Sequence, residues 1–127
     1  MKRHLAASAV ALMGTTATAQ DLSSTVPDAV SAVSPALEHY SANVTKTVWN
    51  AESLSMRDRS LVTFAAMVTR GEAEQLDTFT ALALDAGVSP AELSETITHL
   101  AFYTGWGNAT GAANPTVAEI QPARNPA

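Results

Sequence analysis

Glu95, His99 and Tyr103 stand four residues apart within the stretch Ala91-Glu92-Leu93-Ser94-Glu95-Thr96-Ile97-Thr98-His99-Leu100-Ala101-Phe102-Tyr103. A helix turns once in about 3.6 residues, so this spacing stacks a carboxylate, an imidazole and a phenol along one stripe. Groups of these types handle protons. A carboxylate beside an imidazole favours its protonated form, and a phenol can donate to a developing oxyanion. The chemistry that suits them is acid/base work on a small carbonyl or enol compound. In that reading His99 is the acid/base, Glu95 orients it, Tyr103 binds an oxygen, and Trp106 closes an apolar wall at the helix exit. The same segment also carries an ordinary core face, Leu93, Ile97, Leu100 and Ala101, and a polar stripe beside a core face is equally what a solvated helix shows.

Other charged residues offer less. Asp58 lies between Arg57 and Arg59, and either guanidinium could hold a substrate carboxylate through its planar fork. Charges in a first helical turn are as readily caps, since an acidic group there meets the positive end of the helix dipole. Glu72, Glu74 and Asp77 fit an acidic helix start in the same way. The three histidines show no His-x-x-x-His or His-x-x-Glu spacing, so no metal site is expected. There is no cysteine, which excludes thiolate catalysis, disulfide exchange and every Cys-based metal site.

The elements that must position these groups are helices. Ser34-Pro35 can start one, because Ser accepts an orphan N–H and Pro lacks the donor; Leu37, Tyr40, Val44 and Val48 follow at helical spacing. Ser55 with Asp58 resembles a capping box, and Leu61, Phe64, Ala65 and Val68 predict a helix over about 56–70 that Gly71 stops. A third helix begins near Glu72, with Leu76, Phe79, Leu82, Ala83 and Ala86 apolar and Gly87 ending it. Ser89-Pro90-Ala91-Glu92 is the strongest start signal in the chain, and the helix it opens ends at Gly105. Beyond Trp106 a fifth helix is expected, weakened by Gly107 and Gly111, each of which costs about 1 kcal/mol relative to Ala. No alternating strand pattern appears, so the expected fold is all-α, a compact helical bundle.

The chain has 127 residues, 46% of them hydrophobic, and a formal charge of −5, which fits one globular domain. Lys2 and Arg3, the apolar run Leu5 to Met13 and Ala17-Thr18-Ala19 have the form of a secretory signal peptide over residues 1–19. The apolar run is too short to span a bilayer, and a retained anchor is the alternative. Residues 20–33 are small and polar and are expected to be a leader without a core role, with the domain over 34–120 and a tail over 121–127. Without residues 1–19, five basic residues face 12 acidic ones, a formal −7 that makes nucleic acid an unsuitable partner. A periplasmic or secreted location follows from the signal peptide, with no membrane association once it is cut.

In motif and order the chain resembles the carboxymuconolactone decarboxylase family, also known as alkylhydroperoxidase D-like. The resemblance rests on Leu54-Ser55-Met56-Arg57-Asp58-Arg59-Ser60-Leu61-Val62-Thr63, Glu74-Gln75-Leu76, Ala83-Leu84-Asp85-Ala86-Gly87-Val88 and Thr98-His99-Leu100-Ala101-Phe102-Tyr103-Thr104-Gly105-Trp106. It implies an all-helical protomer that assembles as a homotrimer or homohexamer, with sites near subunit contacts. In the thiol branch of that family a Cys-x-x-Cys pair works with a relay Glu and a His. Here the matching positions are Glu72 and Gln75, Ser60, and Phe79, so thiol peroxidase chemistry is excluded by residue identity. The decarboxylase-like branch usually keeps a His where this chain has Phe79.

The reading these residues support is a cofactor-free protein acting by proton transfer, decarboxylation or isomerisation, on a small organic acid or lactone. His99, Glu95 and Tyr103 are the catalytic candidates, and Trp106, Arg59, Asp77 and Phe79 complete the candidate substrate-binding set. The alternative is a catalytically silent exported homo-oligomer that binds a small ligand.

Overall fold

The computed structural model describes residues 28–124, with side chains through Gln121. These residues form α1 (Asp28–Val33), α2 (Pro35–Trp49), α3 (Met56–Arg70), α4 (Ala73–Asp85), α5 (Pro90–Thr104), α6 (Trp106–Gly111) and α7 (Ala113–Arg124), with no strand among them. The all-α class expected from the sequence is the one observed. The signal-peptide segment, residues 20–27 of the leader and residues 125–127 lie outside the described residues.

Local chemistry sets the helix ends. Ser55 Oγ accepts the Asp58 N–H at 3.0 Å and opens α3. At α5 the reciprocal pair is complete: Ser89 Oγ accepts the Glu92 N–H at 3.2 Å, and Glu92 Oε2 accepts the Ser89 N–H at 2.8 Å. Two orphan donors are thereby satisfied. Gly71 ends α3 at φ +69°, a left-handed conformation in which a side chain would be strained. A Cβ there would also stand 3.2 Å from Asn108 Oδ1, so the turn is closed to larger residues from two directions.

Helix α3 packs on α4 and α5, and α4 packs on α7. The core where they meet joins Phe64 and Val68 of α3, Leu76 and Ala83 of α4, Val88, Leu93 of α5, Ala112, and Ile120 of α7. Burying such side chains is the main stabilising term in a chain without disulfides.

Four features depart from the expectations. Residues 28–33, assigned to a leader, form a short helix against α2, with Asp28 in the first turn where the dipole favours it; none of its residues is buried. From Trp106 on, where one weakened helix was expected, two form despite the glycines. Gly107 and Gly111 are exposed, whereas Ala109, Ala112, Thr116 and Ile120 are buried, so packing outweighs weak intrinsic propensity. Helix α7 continues through Arg124, past residue 121 where a tail was expected to begin. The apolar stripe of α2 forms as spaced, but Leu37, Tyr40, Val44 and Val48 are all at least 50% exposed. Among the described residues no helix is long and apolar enough to cross a membrane.

Candidate functional site

Helices α3 and α5 run side by side in the same direction, as their end contacts show. In the first turns, Arg57 Nη2 donates to Glu92 Oε1. At the other end, Asn108 Nδ2, just past α5, donates to the Thr69 carbonyl in the last turn of α3 at 2.8 Å. Between these two ties lies an open groove of about 440 Å³. Leu61, Val62 and Ala65 of α3 form one wall; Glu92, Glu95, Thr96, His99 and Leu100 of α5 form the other.

The walls are mainly apolar and the polar groups come from α5. Thr96 spends its hydroxyl on the Glu92 carbonyl at 2.7 Å. His99 stacks against Tyr103, one turn on, with ring centroids 4.9 Å apart and planes tilted by 37°. Glu95 and His99 share the wall, yet among the described residues no hydrogen bond or ion pair joins them. The i, i+4 spacing makes them neighbours without coupling them.

Glu92 at the groove's end is held as an anion. Its hydrogen bond from the Ser89 backbone and the bond from Arg57 set its carboxyl below the usual carboxylate range, and Glu92 in turn raises the Arg57 guanidinium. A carboxyl lowered in the folded state adds stability above its unfolded value, and that contribution is lost as pH falls through the folded value. Glu92→Gln is therefore expected to lower the melting temperature at neutral pH. The gap to the parent should narrow as melts are taken down through the carboxylate range, and a gap that stays constant with pH would refute the charge-based account.

The structure places Glu95 and His99 on the groove wall and Tyr103, 75% exposed, against the His99 ring but outside the lining; the four substrate-binding candidates do not join them. Arg59 Nη2 donates to the Ala51 carbonyl at 2.6 Å and the Leu54 carbonyl at 3.4 Å, tying down the loop between α2 and α3. Asp77, exposed on α4, accepts the Thr78 N–H at 2.6 Å, and Phe79 is half-buried on the same helix; neither lines the groove. Trp106 is 68% exposed and meets Phe102 edge-on at 6.1 Å, extending an aromatic surface beyond the groove. The sequence reading missed Leu61, Val62, Ala65 and Thr96 as lining. Val62 was the available signal, since it falls beside the core stripe of α3 and is a 60% exposed valine.

The positions that carry thiol chemistry in the resembling branch lie elsewhere. Ser60 is buried on α3 with its hydroxyl donated to the Met56 carbonyl at 2.7 Å, and Glu72 pairs with Arg70 at 3.2 Å. With Gln75 and Phe79 of α4, none of the four lines the α3/α5 groove. Among the described residues no three His, Asp or Glu side chains converge as metal ligands.

Comparison with curated proteins finds no match. The model described as the carboxymuconolactone decarboxylase family matches residues 35–118, a span that begins with α2 and runs into α7. The helical architecture and the capped α3 and α5 that build the groove fall within that span, and on this match the chain belongs to the carboxymuconolactone decarboxylase family.

Proposed function

We propose that this protein is exported and, without a cofactor, handles a small, largely apolar carbonyl compound in the α3/α5 groove, with a lactone fitting better than a free acid. The observation that carries the reading is the placement of His99 and Glu95 on the wall of a groove otherwise lined by Leu61, Val62, Ala65 and Leu100. Apolar walls desolvate the body of a ligand while a few polar groups fix its orientation. His99 exchanges a proton with the bound compound, and the Tyr103 hydroxyl, stacked beside it, donates to the oxygen on which charge develops. Decarboxylation or isomerisation are the reaction classes such a set supports. A homotrimer or homohexamer would cover the apolar surface that α2 leaves exposed. The export reading rests on the Lys2 to Ala19 pattern alone.

A silent ligand-binding oligomer is the second reading. It is favoured by Phe79 in the place of the family His and by the missing bond between Glu95 and His99.

Thermal-shift profiling of residues 20–127 against lactones and enol acids, with Glu95→Gln and His99→Gln alongside, tests the proposal. A lactone present at about 100 times its Kd should stabilise the parent by about 2.7 kcal/mol. The stabilisation should shrink in both variants. Stabilisation that is equal in parent and variants would place the ligand away from α5, and no stabilisation by any carbonyl compound would retire the proposal.

A further inference from the structure

We infer that the groove selects a small cation with an apolar body, an alkyl or arylalkyl amine, and that Glu95 is its counter-charge. The inference rests on the groove being a ligand site and narrows the compound handled there to one bearing an amine.

The charge distribution around the groove argues for it. Both charged residues in the lining, Glu92 and Glu95, are acidic. The nearest cation, Arg57, is already engaged by Glu92 and by Asp58 at 3.5 Å. The Arg57 guanidinium is shared by two carboxylates, Asp58 and Glu92, and Glu95 adds a third on the wall, so the surroundings stay negative. The other arginines with described side chains are also committed: Arg59 to the carbonyls of Ala51 and Leu54, Arg70 to Glu72. An anion entering the groove meets two carboxylates and no lysine or arginine in the lining, where the one basic side chain is the His99 imidazole.

Glu95 is the group left to act. Among the described residues it has neither an ion pair nor a hydrogen bond, and it stands on the same wall as Leu100 and His99, opposite Leu61, Val62 and Ala65. A ligand whose hydrocarbon body covers that apolar wall would present its ammonium to the Glu95 carboxylate. Beside the groove, the Tyr103 ring, 4.9 Å from the His99 ring, offers an aromatic face that also favours a cation. At longer range, the formal −7 of the chain without residues 1–19 draws cations and repels anions.

Three probes of similar shape and different charge test this on the full mature chain: phenethylammonium, 2-phenylethanol and 3-phenylpropanoate. Binding is read by NMR at the His99 ring and the Val62 methyls, at two salt concentrations, for the parent, Glu95→Gln, and Asp77→Asn, whose carboxylate is exposed on α4 and away from the groove. The cation should bind tightest and the anion weakest. Glu95→Gln should weaken the cation about fivefold, the upper range for an exposed charge pair. Added salt should weaken it too, while 2-phenylethanol is unaffected by either change and Asp77→Asn leaves all three affinities in place. If the neutral or anionic probe binds as tightly as the cation, or if Asp77→Asn matches Glu95→Gln, the selection by Glu95 is overturned and the groove remains a ligand site. If no probe perturbs the His99 or Val62 signals, both readings fall; hydrogen-exchange protection of α3 and α5 in an oligomer would then identify a second copy as the occupant.

Discussion

His99→Gln is expected to lower turnover of the groove's substrate by about 10²- to 10⁴-fold, the usual contribution of a positioned acid/base group. Glutamine is close to His in size and keeps hydrogen-bonding capacity but cannot exchange a proton at neutral pH, so kcat should fall far more than the modest loss of binding raises KM. The site is exposed on α5, and no hydrogen bond from the ring holds the fold together among the described residues. The variant should therefore melt with the parent, separating a chemical loss from a folding one. Steady-state kinetics on a carbonyl compound that stabilises the parent provides the measurement. Unchanged kcat in the variant would remove His99 from the mechanism and leave the silent, ligand-binding reading.

Phe64→Ala should produce the largest loss of stability, about 3–5 kcal/mol. Phe64 is 0% exposed, and its ring packs in the cluster with Val68, Leu76, Leu93 and Ile120. Truncation removes the transfer free energy of the ring and leaves a cavity between α3, α4 and α5 that those helices can close only in part. A domain of this size holds roughly 5–15 kcal/mol in total, so the variant should sit close to the edge of folding. Urea unfolding followed by circular dichroism measures it, with Val62→Ala, on the exposed side of α3, as the control expected to change stability little. Equal losses at positions 62 and 64 would contradict the core as described.

The helix ends were legible in the sequence because they obey local rules. Ser55, Ser89, Gly71 and Gly87 act through neighbours a few residues away, and the start of α5 at Ser89-Pro90-Ala91-Glu92 carries its entire capping box in four letters. The Glu95, His99 and Tyr103 stripe was legible for the same reason, as a consequence of helical periodicity alone. What was not legible depends on pairs distant in the chain. Arg57 and Glu92 are 35 residues apart; each was explicable by itself as a helix-start charge, and only the juxtaposition of α3 with α5 makes them a pair. Arg59 looked free to bind a ligand because the carbonyls of Ala51 and Leu54 carry no signal in side-chain identity. The helices after Trp106 were obscured because propensity counts the glycines, whereas burial of Ala109, Ala112 and Ile120 decides the outcome.

The two ties across α3 and α5 have a mechanical consequence. Arg57 to Glu92 secures one end of the helix pair, and Asn108 to the Thr69 carbonyl secures the other. The pair is tied at both ends, so swinging the walls of the groove apart about a hinge would break one of these bonds. Ligand entry is then governed by rotation of the side chains at the rim, Val62 and Glu95 among them, on the picosecond to nanosecond scale of exposed rotamers rather than the microsecond to millisecond scale of lids and domains. A ligand held there would need no closing step, and its selection would rest on the walls as they stand.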